Sequence, residues 1–270
     1  MKPTPPPSKQ QRGKARRLWP HSARWLVAAL AAGGLPDAAR TAEPLASCSA
    51  RSGANAPMVI ELYTSEGCNS CPPADRWLSQ WGSQPEVIAL AFHVDYWDHL
   101  GWKDPFGSPA HTERQSQQRA VNGSRFSYTP QITINGVDSR QWRDEGPPMA
   151  GAAVASALRV LLTREGERYT ALLQPGAGTP KRLAAYWTVT EDRLVSAVKS
   201  GENQGTTLTH DFVVREYKSV PIWTTDFETA STLTFSPARA AGSAVHPRRV
   251  NLVIVNAASG RPVQGVSLGC

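Results

Sequence analysis

Val59-Ile-Glu-Leu-Tyr-Thr-Ser-Glu-Gly-Cys68-Asn-Ser-Cys71-Pro-Pro-Ala-Asp75 joins three local signals. Val59 to Tyr63 is a short apolar run with β-branched members, the pattern of a buried strand. Thr64-Ser-Glu-Gly67 is a turn. Pro72 and Pro73 suit the first turn of a helix whose apolar Trp77, Leu78 and Trp81 fall on one face. Cys68 therefore stands between the carboxyl end of a strand and the start of a helix. There, unpaired N–H groups and the helix dipole stabilise a thiolate. That makes Cys68 the candidate nucleophile, and Cys71, one turn into the helix and less exposed, the candidate resolving cysteine. The two prolines carry no N–H, so the Cys71 amide is the donor that remains. A Cys-x-x-Cys alone also fits half a zinc site or a structural bridge.

Reading outward, Val87 to Phe92 is a second buried strand, followed by an irregular aromatic stretch from Asp95 to Pro109 and a polar helix over 110–121. Thr129-Pro130 then opens a strand that turns at Asn135-Gly136, a type I′ hairpin signal. Ala150 to Leu162 has the composition of a helix. Residues 57–164 thus read β-α-β-α-β-β-α. Beyond Glu165-Gly166-Glu167 the runs are short, β-rich and separated by Gly/Pro/Ser/Asn clusters, which suggests a sandwich over 167–270. In the thioredoxin fold a cis-proline precedes the corresponding strand and packs against the dithiol, and Pro130 stands 59 residues after Cys71. The expected fold is an α/β thioredoxin-like domain followed by a mostly β, sandwich-like domain.

Several groups are candidates to line the dithiol. His93 and Asp95, two apart at the end of the second strand, share a face and could move a proton during thiol exchange. The alternative is that His93 is hydrogen-bonded in the core while Asp95 and Asp98 cap the loop. Glu61 is a candidate proton acceptor for Cys71, or a structural carboxylate. Tyr96, Trp97, Trp102 and Phe106 would make an apolar wall for a polypeptide, or pack the loop onto its own domain. Thr129 and Pro130 would present backbone to an extended substrate. Cys68, Cys71 and His93 form an alternative set for Cu(I) or zinc. His210 beside Asp211 reads as a turn residue next to a strand.

The quoted stretch, with Ala91-Phe-His-Val-Asp-Tyr-Trp-Asp98, Leu100-Gly-Trp-Lys-Asp-Pro-Phe106, Tyr128-Thr-Pro-Gln131 and Thr209-His-Asp-Phe-Val-Val-Arg215, resembles an uncharacterised family of secreted, thioredoxin-like bacterial proteins, a domain of unknown function. The resemblance runs from about Pro57 to the C-terminus and implies a thioredoxin-like fold and a redox dithiol, without a substrate. Compared with ordinary thioredoxins, Gly67 replaces the Trp before the first cysteine and Cys-Asn-Ser-Cys replaces Cys-Gly-Pro-Cys. Direction of electron flow stays open.

The formal net charge of +7 sits in the first 24 residues, where seven Lys and Arg face no acid; residues 25–270 balance 22 basic against 22 acidic groups. The case for a nucleic-acid partner goes with that leader. Trp25 to Leu35 is an apolar run of 11 residues, well short of the roughly 20 needed to span a bilayer. Behind a basic segment it is the pattern of a secretory signal peptide, with 1–47 as the leader and no stable membrane span after its removal. Leu45-Ala-Ser-Cys48 offers an alternative, a lipid anchor through Cys48. The periplasm or the exterior is the expected compartment, where disulfides persist. Cys48 and Cys270 would then bridge the ends of the mature chain, contributing on the order of 4 kcal/mol. The reading is an exported thiol–disulfide oxidoreductase without a cofactor, acting on protein thiols and disulfides and recycled by a redox partner. A metal-binding chaperone and a binding module with a structural disulfide are the alternatives.

Overall fold

The computed structural model describes residues 47–82, 84–144, 154–238 and 245–270. The first stretch of chain forms β1 (Ser47–Arg51), β2 (Met58–Thr64), α1 (Pro72–Trp81), β3 (Val87–His93), α2 (Pro109–Val121), β4 (Gln131–Ile134) and β5 (Val137–Asp138). Then come strands alone: β6 (Arg159–Glu165), β7 (Arg168–Gln174), β8 (Arg182–Glu191), β9 (Leu194–Ala197), β10 (Thr207–His210), β11 (Val213–Thr224), β12 (Ser231–Phe235), β13 (Arg248–Asn256) and β14 (Pro262–Leu268). The leader, apart from Ser47, lies outside the described residues.

These strands overturn the expected fold. The molecule is mostly β, and no thioredoxin-like α/β domain is divided from a later sandwich. One mixed eight-stranded sheet has the order β14-β13-β8-β11-β3-β2-β4-β5, so half of its strands come from beyond residue 167. β2 and β3 pair in parallel from Met58 opposite Val87 to Thr64 opposite His93. The other edge of β3, left open in a domain ending at 164, is taken by β11, with Val213 opposite Ala91. An unpaired edge exposes a row of backbone donors and acceptors, and the later strands remove it. Pro44–Cys270 is one compact unit. A second sheet, β1-β6-β7-β12, stacks on the first.

The helix expected over 150–162 is also corrected: 159–162 begin β6, and 150–153 lie outside the described residues. Ala and Leu favour helix only by tenths of a kcal/mol per residue. Leu162 instead pairs with Ala50 of β1 and Ala171 of β7, and Val160 and Leu162 face the core. Tertiary pairing outweighs the local preference.

Alternation along the strands divides the core. Val59 and Tyr63 of β2 pack with Leu90 and Phe92 of β3, Tyr186 of β8 and Val253 of β13. Ile60 and Leu62 point the other way, onto Ala74, Trp77 and Leu78 of α1. Further along that sheet, Leu183, Ala185 and Trp187 of β8 meet Leu162, Leu173 and Phe235 of the second sheet, with Trp187 and Phe235 stacked at 5.3 Å. Each such fully buried side chain contributes about 1.5–3 kcal/mol. The β4–β5 turn has Asn135 at φ 49° and Gly136 at φ 75°, the pair of left-handed residues that a type I′ turn requires.

Cys48 and Cys270 are bonded across a sequence separation of 222, with Cα atoms 6.7 Å apart. That bond occupies the Cys48 sulfur and so removes the thiol that a lipid anchor would need.

Candidate functional site

The dithiol is assembled where β2 ends. Cys68 and Cys71 are joined, their Cα atoms 5.5 Å apart. Cys71 is the N-cap of α1, with Pro72 and Pro73 behind it, so both cysteines precede the helix proper. The Cys71 N–H donates to the Cys68 carbonyl at 3.2 Å, and the amides of Ala74 and Asp75 donate to the Cys71 carbonyl. Backbone donors at this helix start are therefore engaged or missing. The polar group beside the nucleophile is the Ser70 hydroxyl, 3.4 Å from Cys68 Sγ. Asn69 and Ser70 are exposed, whereas Cys68 is 1 % and Cys71 0 % exposed. Gly67 is closely packed here: a Cβ at that position would lie 3.0 Å from the Trp97 Cβ, so Trp97 would have to shift.

The aromatic wall has other members than those expected. Trp97 donates from Nε1 to Thr129 Oγ1 at 2.8 Å, bracing the cis Thr129–Pro130 bond. Trp102 donates to Glu66 Oε2 at 2.7 Å. A cleft of about 390 Å³ instead runs from Ser70 along Thr129 and Pro130, with Phe126, Tyr128 and Trp142 as its aromatic lining and Arg140 and Arg143 as its charges. Phe126 is 64 % exposed.

Glu61 and Asp95 take no part in the dithiol's surroundings. Glu61 accepts from Tyr63 Oη, Tyr186 Oη and Arg114 Nη2 at 2.6–2.7 Å, a buried network under α2. It pushes both phenol pKa values well up, burial first and the Glu61 charge second. Asp95 is bonded to Thr112 of α2. Asp98 holds the loop by accepting from the Asp104 amide.

Around Glu66, two residues before Cys68, lies a cluster that the sequence reading did not assemble. His93 is fully buried and shares a 2.8 Å bond between Nδ1 and Asp104 Oδ2, which also accepts from the Glu66 amide. Burial opposes the charge of Asp104, but His93 and these amides outweigh it and hold its pKa down at about 2. His210 is 3.1 Å from Glu66 Oε1 through Nε2 and 3.9 Å from Asp75 Oδ1 through Nδ1. Burial likewise works against its charged form, but the nearby Asp75 and Glu66 carboxylates outweigh it and push the pKa up to about 10. Thr64 donates to Asp75 Oδ2. Asn203, from the loop between β9 and β10, donates to the carbonyls of Glu66 and Cys68, while Glu202 accepts from the Asn69 amide. This β9–β10 loop thus clamps the Cys-x-x-Cys segment.

Both sulfurs of the expected Cys68, Cys71 and His93 ligand set are engaged with each other. The potential ligands gathered around His93 are Asp75 and His210. The missed signal was in plain view. Glu66 and Asp75 lie inside the quoted stretch, and His210 inside Thr209-His-Asp211, but a charge in sequence does not reveal its burial.

A mostly β protein of two stacked sheets, with a Cys-x-x-Cys disulfide at a helix start and a buried His/carboxylate cluster, is the class that fold and site define. The chain belongs to the family described as protein of unknown function (DUF1223), whose profile matches residues 59–254. Among solved structures it is similar to protein AGR_C_4864 from Agrobacterium tumefaciens, at 25 % identity and TM-score 0.56, covering 79 % of this chain and 94 % of that one. It is also similar in fold to HBP35 of Porphyromonas gingivalis, at 11 % identity and TM-score 0.56, covering 80 % and 76 %. None of the curated proteins matches the chain.

Proposed function

We propose that the chain is an exported thiol–disulfide oxidoreductase, with Cys68 as nucleophile and Cys71 as resolving cysteine. The observation that carries this reading is the Cys68–Cys71 disulfide at the start of α1, with Ser70 beside Cys68 and also at the end of the cleft along Thr129-Pro130. In the reduced protein, the Cys68 thiolate attacks one sulfur of a substrate disulfide and expels the other as a thiolate, which takes up a proton. The Cys71 thiolate then attacks Cys68 Sγ, releasing the second substrate sulfur as a thiol and leaving the Cys68–Cys71 disulfide. The reverse sequence oxidises a dithiol. A redox-recycling partner restores the starting state in either direction. The cleft's aromatic and arginine lining suits a protein segment with apolar and acidic side chains. Two disulfides in one chain favour an oxidising compartment, periplasmic or external, and among the described residues no helix is long and apolar enough to cross a membrane.

The test is exchange with reduced ribonuclease, with scrambled ribonuclease and with a small disulfide across a series of glutathione potentials. Activity should vanish in Cys68→Ser, and Cys71→Ser should accumulate a mixed disulfide through Cys68 that mass spectrometry detects. A folded wild type inert at every potential would refute the assignment.

A further inference from the structure

We propose that Asp75, His93 and His210 form a mononuclear site for a divalent transition metal, Zn2+ by donor type. Each of the three residues places one potential ligand atom within 4.8 Å of the others. All three are buried, at 8 %, 0 % and 2 % exposure. The two imidazoles are held in the manner of metal ligands. His93 uses Nδ1 on Asp104 and His210 uses Nε2 on Glu66, so each ring has one nitrogen fixed by a buried carboxylate. The nitrogens left over, His93 Nε2 and His210 Nδ1, are buried without a hydrogen-bond partner. Unsatisfied buried nitrogens cost about 1–3 kcal/mol each, and a carboxylate–histidine–metal arrangement explains both. The rings stand edge to face, with centroids 4.9 Å apart and planes at 82°, and Phe106 packs against both.

Asp75 supplies the third ligand. One of its oxygens accepts from Thr64, which fixes the carboxylate, and the other faces His210 Nδ1 at 3.9 Å. Tetrahedral Zn2+ with bonds of roughly 2.0–2.1 Å holds its ligand atoms about 3.4 Å apart. Closing the present spacing around an ion takes side-chain movements on the order of half an ångström to one ångström. Two imidazoles, borderline donors, joined by one hard carboxylate suit Zn2+ rather than Ca2+ or Cu(I). The three ligands come from α1, β3 and β10, so the ion would tie the helix that Cys71 caps to strands of two sheets. The site uses neither cysteine and is independent of the exchange chemistry proposed above.

The experiment uses the full chain, stripped with a chelator and titrated with Zn2+ by calorimetry, with Co2+ as the spectroscopic probe. One equivalent of Zn2+ should bind and raise the melting temperature. Co2+ should give weak visible bands without thiolate-to-metal charge transfer, in both the oxidised and the dithiothreitol-reduced protein. His93→Gln and Asp75→Asn should each weaken binding by roughly a hundredfold or more, whereas Cys68→Ser/Cys71→Ser should keep the stoichiometry. Circular dichroism verifies each variant's fold, and if a variant does not fold the Co2+ spectrum of the wild type decides. Absence of binding to the folded wild type, undiminished binding in both ligand variants, or a thiolate charge-transfer band would each overturn the proposal.

Discussion

Ser70 is the polar side chain beside Cys68 Sγ, and the Cys71 amide that would otherwise serve is turned to the Cys68 carbonyl. A hydroxyl donated to a thiolate stabilises it by about 1.5 kcal/mol or more, which corresponds to a thiol pKa lowered by about one unit. Ser70→Ala should therefore raise the Cys68 pKa by about that much, read from the pH dependence of thiolate absorbance or alkylation rate in the reduced protein; an unchanged profile would remove Ser70 from the nucleophile's surroundings. His111 works on stability instead. Its Nδ1 lies 2.9 Å from the His93 carbonyl, and burial pushes its pKa down to about 4 from an ordinary 6.5. The unfolded chain binds this proton more readily than the native one. Its stabilisation is complete above pH 6.5 and is lost as the pH falls to about 4, on the order of 3 kcal/mol. Urea midpoints across that range should fall less steeply for His111→Gln than for the wild type.

At the scale of elements, β2, β3, the β4–β5 turn and α2 are legible because each is specified by neighbours in sequence. Val59 to Tyr63 is apolar enough for a strand covered on both faces, Asn135-Gly136 supplies the left-handed pair, and Ser108-Pro109 caps and opens α2. What is not legible is which strand fills which edge. β7 and β11 both read as β-rich runs, yet β11 completes the sheet of the site and β7 joins the second sheet. For the same reason the dithiol could be read from local spacing, while the cluster around Glu66 could not. Glu66 and His210 are 144 residues apart in the chain and meet only when β9 and β10 fold over the Cys-x-x-Cys turn. Asn203 in that hairpin's loop makes the test specific. Asn203→Ala strips the donor from two buried carbonyls, those of Glu66 and Cys68, at about 1–3 kcal/mol. Hydrogen exchange of residues 66–71 should accelerate with it, while the β13–β14 amides stay protected; uniform acceleration would show that the hairpin does not hold the site locally.

For the whole molecule, the continuity of the large sheet means that residues before and after position 165 fold as one unit, and Cys48–Cys270 is bonded across it. Cys48 lies in β1, paired with β6 in the second sheet; Cys270 follows β14, at the outer edge of the first. The bond thus ties one sheet to the other. A loop closed across a separation of 222 residues has a large closure entropy in the unfolded state, so the chain-entropy model assigns this bond about 5.4 kcal/mol. Cys48→Ser/Cys270→Ser should lower the stability by up to that amount. If the terminal bond is structural and the Cys68–Cys71 pair reactive, the double variant should retain the wild-type exchange rate at temperatures where it stays folded. Titration with glutathione followed by mass spectrometry separates the two roles in the unmodified protein, with Cys68–Cys71 opening at a less reducing potential than Cys48–Cys270. The opposite order would make the terminal bond the reactive one and leave the Cys-x-x-Cys pair as the structural disulfide.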